Sequence, residues 1–212
     1  FSADPLPADE NELLNIREII KHRQVWLAAS THPGEEEIVI EAHKILQTRH
    51  PSLLTVIAPR HPARRDEIAD LLKSKTIEFS RRSLGEEPRR EIYLADTLGE
   101  LGLLYRLSRL AFIGGSMGVN GGHNPIEAAS LNCAIIHGPD MGNFKAVADE
   151  LHNAGGAVIV DSPETLAEAV GRFLSDTSMM EHVTAAAGRV AFENMGAVDR
   201  IYNAVATVMD GS

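Results

Sequence analysis

The chain has little sulfur chemistry to draw on. Cys133 is its one cysteine, so an internal disulfide is excluded, which fits a reducing compartment. No apolar run approaches the ~18 residues that a bilayer-spanning helix needs. The expectation is therefore a soluble chain without a membrane span or a signal peptide. Positive charge is also scarce, with 20 Lys and Arg against 30 Asp and Glu and a formal net charge of −10. That balance argues against a general affinity for nucleic acid or anionic lipid and leaves room only for a local basic site. The nine histidines are scattered, without HExxH spacing or a cysteine pair, so no metal site is expected. Gly114-Gly115-Ser116-Met117-Gly118 lacks the G-x-S-x-G order of a nucleophile elbow. Internal repeats and low-complexity tracts are absent. The first residue is Phe1, not methionine, which suggests a piece of a longer protein.

What is present is an ordinary globular composition, 44% hydrophobic and 24% charged over 212 residues, enough for a full core. Residues 1–10 are acidic, contain two prolines and show no period, as in a linker. Residues 13–20 sketch a lead-in helix, so 1–23 is read as linker and helix and 24–212 as the domain proper. From Gln24 onward, short apolar strands alternate with amphipathic helices. Strands are expected at 25–29, 53–58, 76–79, 91–95, 110–113, 134–137 and 157–160. Helices are expected at 34–47, 62–73, 99–107, 125–131, 143–153 and 163–174, followed by helix over 178–209 with a break near Gly196. This pattern implies an α/β fold: a Rossmann-like parallel sheet with helices on both faces, plus C-terminal helices. Right-handed crossovers then gather every strand-to-helix loop on the carboxyl edge, where such sheets bind ligands.

The most informative stretch is 111–127. A strand ending at Ile113 runs into Gly114, Gly115, Gly118, Gly121 and Gly122, and then into a helix opening at Asn124-Pro125-Ile126-Glu127. Its spacing is neither the dinucleotide fingerprint nor the P-loop. Glycines before a helix start nevertheless suit an anion pocket. Proline on both sides of Arg60-His61 fixes a guanidinium at the same rim, as phosphate or carboxylate recognition would require. His61 reads as a cap or surface residue. Ser30-Thr31-His32-Pro33-Gly34-Glu35-Glu36-Glu37 is equally compatible with a helix cap followed by acids and with a polar surface under a ligand. Thr97-x-x-Glu100 and Asn124-x-x-Glu127 both have capping-box spacing. Glu127 is thus a cap partner on its own, or an acceptor for a ribose diol. His123 is open between ligand contact and helix entry. Arg81, Arg82, Arg89 and Arg90 surround Gly85 and Pro88, as in a solvated mobile loop, with contact to an anionic substrate or lipid as the other reading.

Four of these stretches resemble one family. Trp26-Leu27-Ala28-Ala29-Ser30-Thr31-His32-Pro33-Gly34-Glu35-Glu36, Ala58-Pro59-Arg60-His61-Pro62, Asp96-Thr97-Leu98-Gly99-Glu100-Leu101 and Gly114-Gly115-Ser116…Gly121-Gly122-His123-Asn124-Pro125-Ile126-Glu127 occur in that order. Together they are similar to the 3-deoxy-D-manno-octulosonic acid (Kdo) transferases of Gram-negative lipopolysaccharide synthesis. The resemblance implies the C-terminal, donor-binding domain of a two-domain GT-B glycosyltransferase. Such an enzyme transfers Kdo from CMP-Kdo to a lipid A precursor at the cytoplasmic face of the inner membrane, with inversion and without a metal or other cofactor. The acceptor site, the general-base glutamate and often a membrane anchor belong to the family's N-terminal half, which nothing in this chain matches. By the same resemblance, Pro59 and Arg60 contact the donor, Leu98 and Gly99 lie near the cytosine, and Glu127 holds the ribose. Gly115, Ser116, Gly121, Gly122, His123 and Asn124 cradle the phosphate, and Asn143 is a further contact. The segment 117–120 departs from the proline-containing segment usual in the family. The alternatives are the donor domain of a UDP-sugar GT-B transferase or epimerase, and a stand-alone nucleotide-sensing domain.

Overall fold

A computed structural model describes residues 5–210, with side-chain placement from 5 to 195. Seven parallel strands form one sheet: β1 (Val25–Thr31), β2 (Leu54–Pro59), β3 (Phe79–Arg81), β4 (Ile92–Leu94), β5 (Leu110–Ile113), β6 (Ala134–His137) and β7 (Ala157–Ile159). Their order is β3-β4-β2-β1-β5-β6-β7. The chain winds outward from β1 in one direction, returns, and then winds outward from β5 in the other. The loops leaving β1 and β5 therefore diverge from neighbouring strands, and that switch point is where such a sheet opens a crevice.

Strand pleating decides which face each side chain serves. Trp26 and Ala28 of β1 enter the cluster built with Val39, Ile40, Ile57, Phe112, Val170 and Phe173. Leu27 and Ala29 enter the opposite cluster, with Val56, Tyr93, Leu103, Leu104 and Leu151. The first face is covered by α2 (Glu35–Gln47), α3 (Arg65–Ser74) and α7 (Pro163–Ser175). The second is covered by α1 (Glu10–Ile20), α4 (Leu101–Ser108), α5 (Pro125–Ala129), α6 (Lys145–Asn153) and α8 (Thr177–Asp210). The lead-in helix α1 places Leu13, Ile16 and Ile20 in that second core. Among the described residues, no helix is long and apolar enough to cross a membrane.

The helix starts follow from local chemistry. Asp9 accepts the amides of Asn11 and Glu12 and opens α1. Ser162 and Thr165 close a reciprocal capping box on α7, with Pro163 at the first helical position. Several expected boundaries shift. The third strand lies at 79–81, not 76–79, because Ile77 is still held to Leu72 by the turn that ends α3. No capping box forms at Thr97. Its hydroxyl donates to the Glu100 carboxylate instead, and α4 starts only at Leu101. Residues 62–64 form a 3-10 turn before α3, and the backbone of α8 continues through Gly196 without the expected break.

The arginine-rich loop after β3 is not a solvated loop throughout. Arg81 pairs with Asp66 and with the buried Asp96. Arg82 joins Glu12 of α1 to Glu100 and also donates to the Tyr93 hydroxyl. These pairs raise both guanidinium pKa values, against the desolvation that partial burial brings. Arg89 and Arg90 remain exposed, with Glu87 and Glu78 as partners.

Candidate functional site

The carboxyl end of β1 is bent. Ser30 adopts a left-handed φ of 56°, and the register against β2 shifts between Ala29 and Thr31. A non-glycine residue in this region stores about 1 kcal/mol or more of strain, which must be balanced by its surroundings. The balance comes from β5: the Gly114 amide donates to the Ala29 carbonyl at 2.7 Å. A side chain at position 114 would meet the Ser30 carbonyl at 2.4 Å, so glycine is required for this approach.

Next to the bend, the first turn of α2 turns two carboxylates inward. Glu35 is 3% exposed and accepts four backbone amides: Gly115 at 2.7 Å and His32 at 2.9 Å through Oε2, and Ser116 and Met117 at 3.0 Å through Oε1. Glu36 is fully buried, binds Arg64 through both oxygens and accepts the Thr31 hydroxyl. The acids after Gly34 thus do more than favour the helix dipole. Glu35 fills the very anion pocket that the glycine segment creates.

The rest of that segment is also committed internally. Gly121 donates to Asp140, and Gly122 donates to the Gly115 carbonyl. The backbone N–H of Asn143 binds the Gly121 carbonyl, while its side-chain amide reaches the Asn120 and Gly122 carbonyls. Gly115, Gly121 and Gly122 all have positive φ, near 70° to 76°. In this structure the amides of Gly115, Ser116, Gly121 and Gly122 have protein acceptors, so the cradle expected of them is occupied by the chain itself. Asn143 serves as a brace of the loop.

The other half of the rim is open. A cavity of about 200 Å³ is walled by Pro59, Arg60, Leu98, Gly99 and Glu127 together with Ser30, Thr97 and Glu100. Ala58, Leu101, Leu104 and the Leu6-Pro7 pair add further apolar residues to its lining. Leu98 is 75% exposed, so its side chain is available to a ligand at the cavity mouth. The Arg60 backbone is fixed through its amide to the Thr31 carbonyl, and its charge acts on Glu127 across the cavity. Asn124 caps α5 through the Ile126 amide and touches Glu127 at 3.4 Å, half of the expected capping box. Burial raises the Glu127 pKa, with Asn124 and Arg60 pulling it back.

His123 lies at the boundary between the two halves. Its Nε2 is 2.8 Å from Nε2 of His32, and the rings stack with centroids 5.1 Å apart. One of these two nitrogens carries the proton and the other accepts it, so both rings cannot be protonated there at once. Burial first, and then the charges of His32 and Arg60, push His123 down to about 4. His32 is lowered as well, mainly by burial. His61 meets His32 edge to face. Among the described residues, no group of three or more His, Cys, Asp or Glu side chains is placed to hold a metal ion.

Five of the twelve candidate residues, Pro59, Arg60, Leu98, Gly99 and Glu127, therefore face one cavity, with His123 and Asn124 beside Arg60 and Glu127. Gly115, Ser116, Gly121, Gly122 and Asn143 form the braced loop behind them. Ser30 and Glu100, which lie in stretches already singled out from the sequence, line the cavity as well, whereas the Leu6-Pro7 pair lines it without having been expected there.

A seven-stranded parallel sheet with this crevice at its switch point is the C-terminal domain of a GT-B glycosyltransferase. Similarity supports that class over most of the chain. The C-terminal CMP-Kdo binding domain of WaaA from Acinetobacter baumannii superposes with a TM-score of 0.79 at 30% identity, over 85% of this chain and 96% of that one. Anabaena HepE, solved with UDP and glucose, shares the fold at a TM-score of 0.67 and 16% identity, over 98% of this chain and 55% of that one. Among curated sequences, the 3-deoxy-D-manno-octulosonic acid transferase of Haemophilus influenzae is 39% identical over 182 residues, 84% of this chain and 43% of the relative. That of Bordetella pertussis is 33% identical over 189 residues, 86% of this chain and 44% of the relative. No protein-family model matches. The chain belongs to the Kdo transferase family of glycosyltransferases. It spans about two fifths of the length of the curated relatives it matches.

Proposed function

We propose that the chain is the donor-binding half of an enzyme that transfers Kdo from CMP-Kdo to a lipid A precursor in lipopolysaccharide core synthesis. The observation that carries this reading is the convergence of Pro59, Arg60, Leu98, Gly99 and Glu127 on one cavity at the switch point. The cytosine sits between Leu98-Gly99 and Pro59, where apolar surface is exposed and backbone is accessible. The Glu127 carboxylate accepts from the ribose diol. Arg60 faces the phosphate, with His123 and Asn124 on the same side.

In an inverting transfer, the acceptor hydroxyl loses its proton to a base and attacks the anomeric carbon of Kdo, whose bond to the phosphate oxygen breaks. CMP departs with the electron pair of that bond. The charge gathering on the departing phosphate needs a cation, and Arg60 supplies one. The glycine segment contributes shape: held by Glu35, Asp140 and Asn143, it cannot collapse into the phosphate site. The base and the lipid acceptor belong to a partner half at the cytoplasmic face of the inner membrane. The 212-residue chain accordingly binds CMP without catalysing transfer.

Calorimetric titration tests this reading. CMP is expected to bind and UMP to bind more weakly. Equal or tighter binding of UMP would move the chain to the UDP-sugar branch of the same fold, and binding of neither would remove the nucleotide reading.

A further inference from the structure

The acidic segment before α1, expected to be a plain linker, is built into the candidate site. Leu6 and Pro7 lie over the first turn of α4 and form one wall of the cavity that holds Pro59, Arg60 and Glu127. Two devices fix them there. Gly102 lets the segment touch the helix backbone: a Cβ at this position would meet the Pro7 carbonyl at 2.1 Å and the Leu6 carbonyl at 2.8 Å. Arg106, one turn later, donates from one Nη1 to both the Leu6 carbonyl, at 2.7 Å, and the Gly102 carbonyl, at 2.9 Å. A third tie lies just beyond the segment, where Arg82 joins Glu12 of α1 to Glu100 on the cavity wall.

We infer that residues 6–7 are a strap that completes the nucleoside cavity, with Leu6 and Pro7 as affinity-determining contacts and Gly102 and Arg106 as their positioning residues. The inference rests on the nucleotide reading of the cavity. Its physical basis is geometric. Leu6 and Pro7 line the same cavity as Leu98 and add apolar wall to it, and a planar base gains affinity with the apolar surface that covers it. A linker that merely passed by would need neither a glycine on the facing helix nor an arginine clamped to its carbonyl.

The test uses the complete 212-residue chain. Gly102→Ala adds one methyl group where only the strap is met, in a helix that otherwise favours alanine. The dissociation constant for CMP is expected to rise at least about tenfold in Gly102→Ala and about fivefold in Leu6→Ala. In the unaltered chain, saturating CMP should shift the Leu6 methyl resonances and transfer saturation from the cytosine protons to them, a readout that packing on α4 alone would not move. Normal CMP binding in the wild type together with unchanged affinity in both variants, or with silent Leu6 methyls, would overturn the strap and leave the nucleotide reading intact. A wild-type chain that binds no CMP overturns both. Should Gly102→Ala fail to fold, the methyl measurement on the unaltered chain decides the matter alone.

Discussion

Two regions of the same rim look alike in sequence and differ in what they offer a ligand. The glycine segment 114–122 is rich in backbone donors, yet those of Gly115, Ser116, Met117, Gly121 and Gly122 all have acceptors within the chain. The opposite wall, Pro59-Arg60 with Leu98-Gly99 and Glu127, has few donors, but its side chains stand open to a cavity. The first region is scaffold and the second is surface. A cluster of N–H groups is a site only while nothing else satisfies it, and a buried carboxylate such as Glu35 satisfies it well.

Substitutions separate the two regions, and the largest effect should come from the scaffold. Glu35→Gln replaces one of two oxygens, each of which accepts two amides, so either orientation leaves N–H groups facing an NH2. A loss of about 3 kcal/mol of stability is expected in urea denaturation, and an unchanged midpoint would remove Glu35 as the keystone of the loop. Arg60→Ala should do the opposite, weakening CMP binding by tenfold or more, the range of one lost charge-assisted hydrogen bond, with no measurable change in the denaturation midpoint.

Acid provides a third separation. His43 and His123 are held neutral by burial, each lowered to about 4 from an ordinary 6.5. The unfolded chain takes up protons first, so the contribution of these two residues to stability should fall as pH drops from 6.5 towards 4 and level off below. His123→Gln should flatten part of that slope, while the contribution of His43, bonded to Thr55 beneath the sheet, remains. Glu127 gives the smallest and most diagnostic effect. Its raised pKa means that the ionised form costs stability, a cost that grows as pH rises from 4.5 through the folded value. Glu127→Gln should therefore raise the midpoint slightly at neutral pH while weakening CMP binding by about threefold to tenfold. A residue that served only as a helix cap would lose stability and leave affinity unchanged.

The sheet was legible because alternating short apolar runs and capped helices are local signals, and each strand was placed within a few residues. Arg60 was legible because prolines on both sides fix the backbone at a strand end, whereas Leu98 and Gly99 entered as site residues only through the family resemblance. Glu35 was not: three of its four partners lie 80 to 82 residues away, and in sequence it is one acid among three at a helix start. The strap was hidden for a similar reason, since its meaning depends on Gly102, which reads as an ordinary helix residue. Arg81 and Arg82 were misjudged because a charge run near glycine and proline suggests solvent, whereas the acids that hold them come from α1, α3 and the end of β4.

The central claim is that the open wall, and not the glycine segment, receives the nucleotide. Amide and side-chain chemical-shift mapping of the 212-residue chain with CMP tests it most directly. The largest changes should fall on Arg60, Leu98, Gly99 and Glu127, with Gly115, Ser116 and Met117 nearly still because Glu35 retains their hydrogen bonds. Large shifts at 115–117 with silence at Arg60 and Leu98 would contradict it.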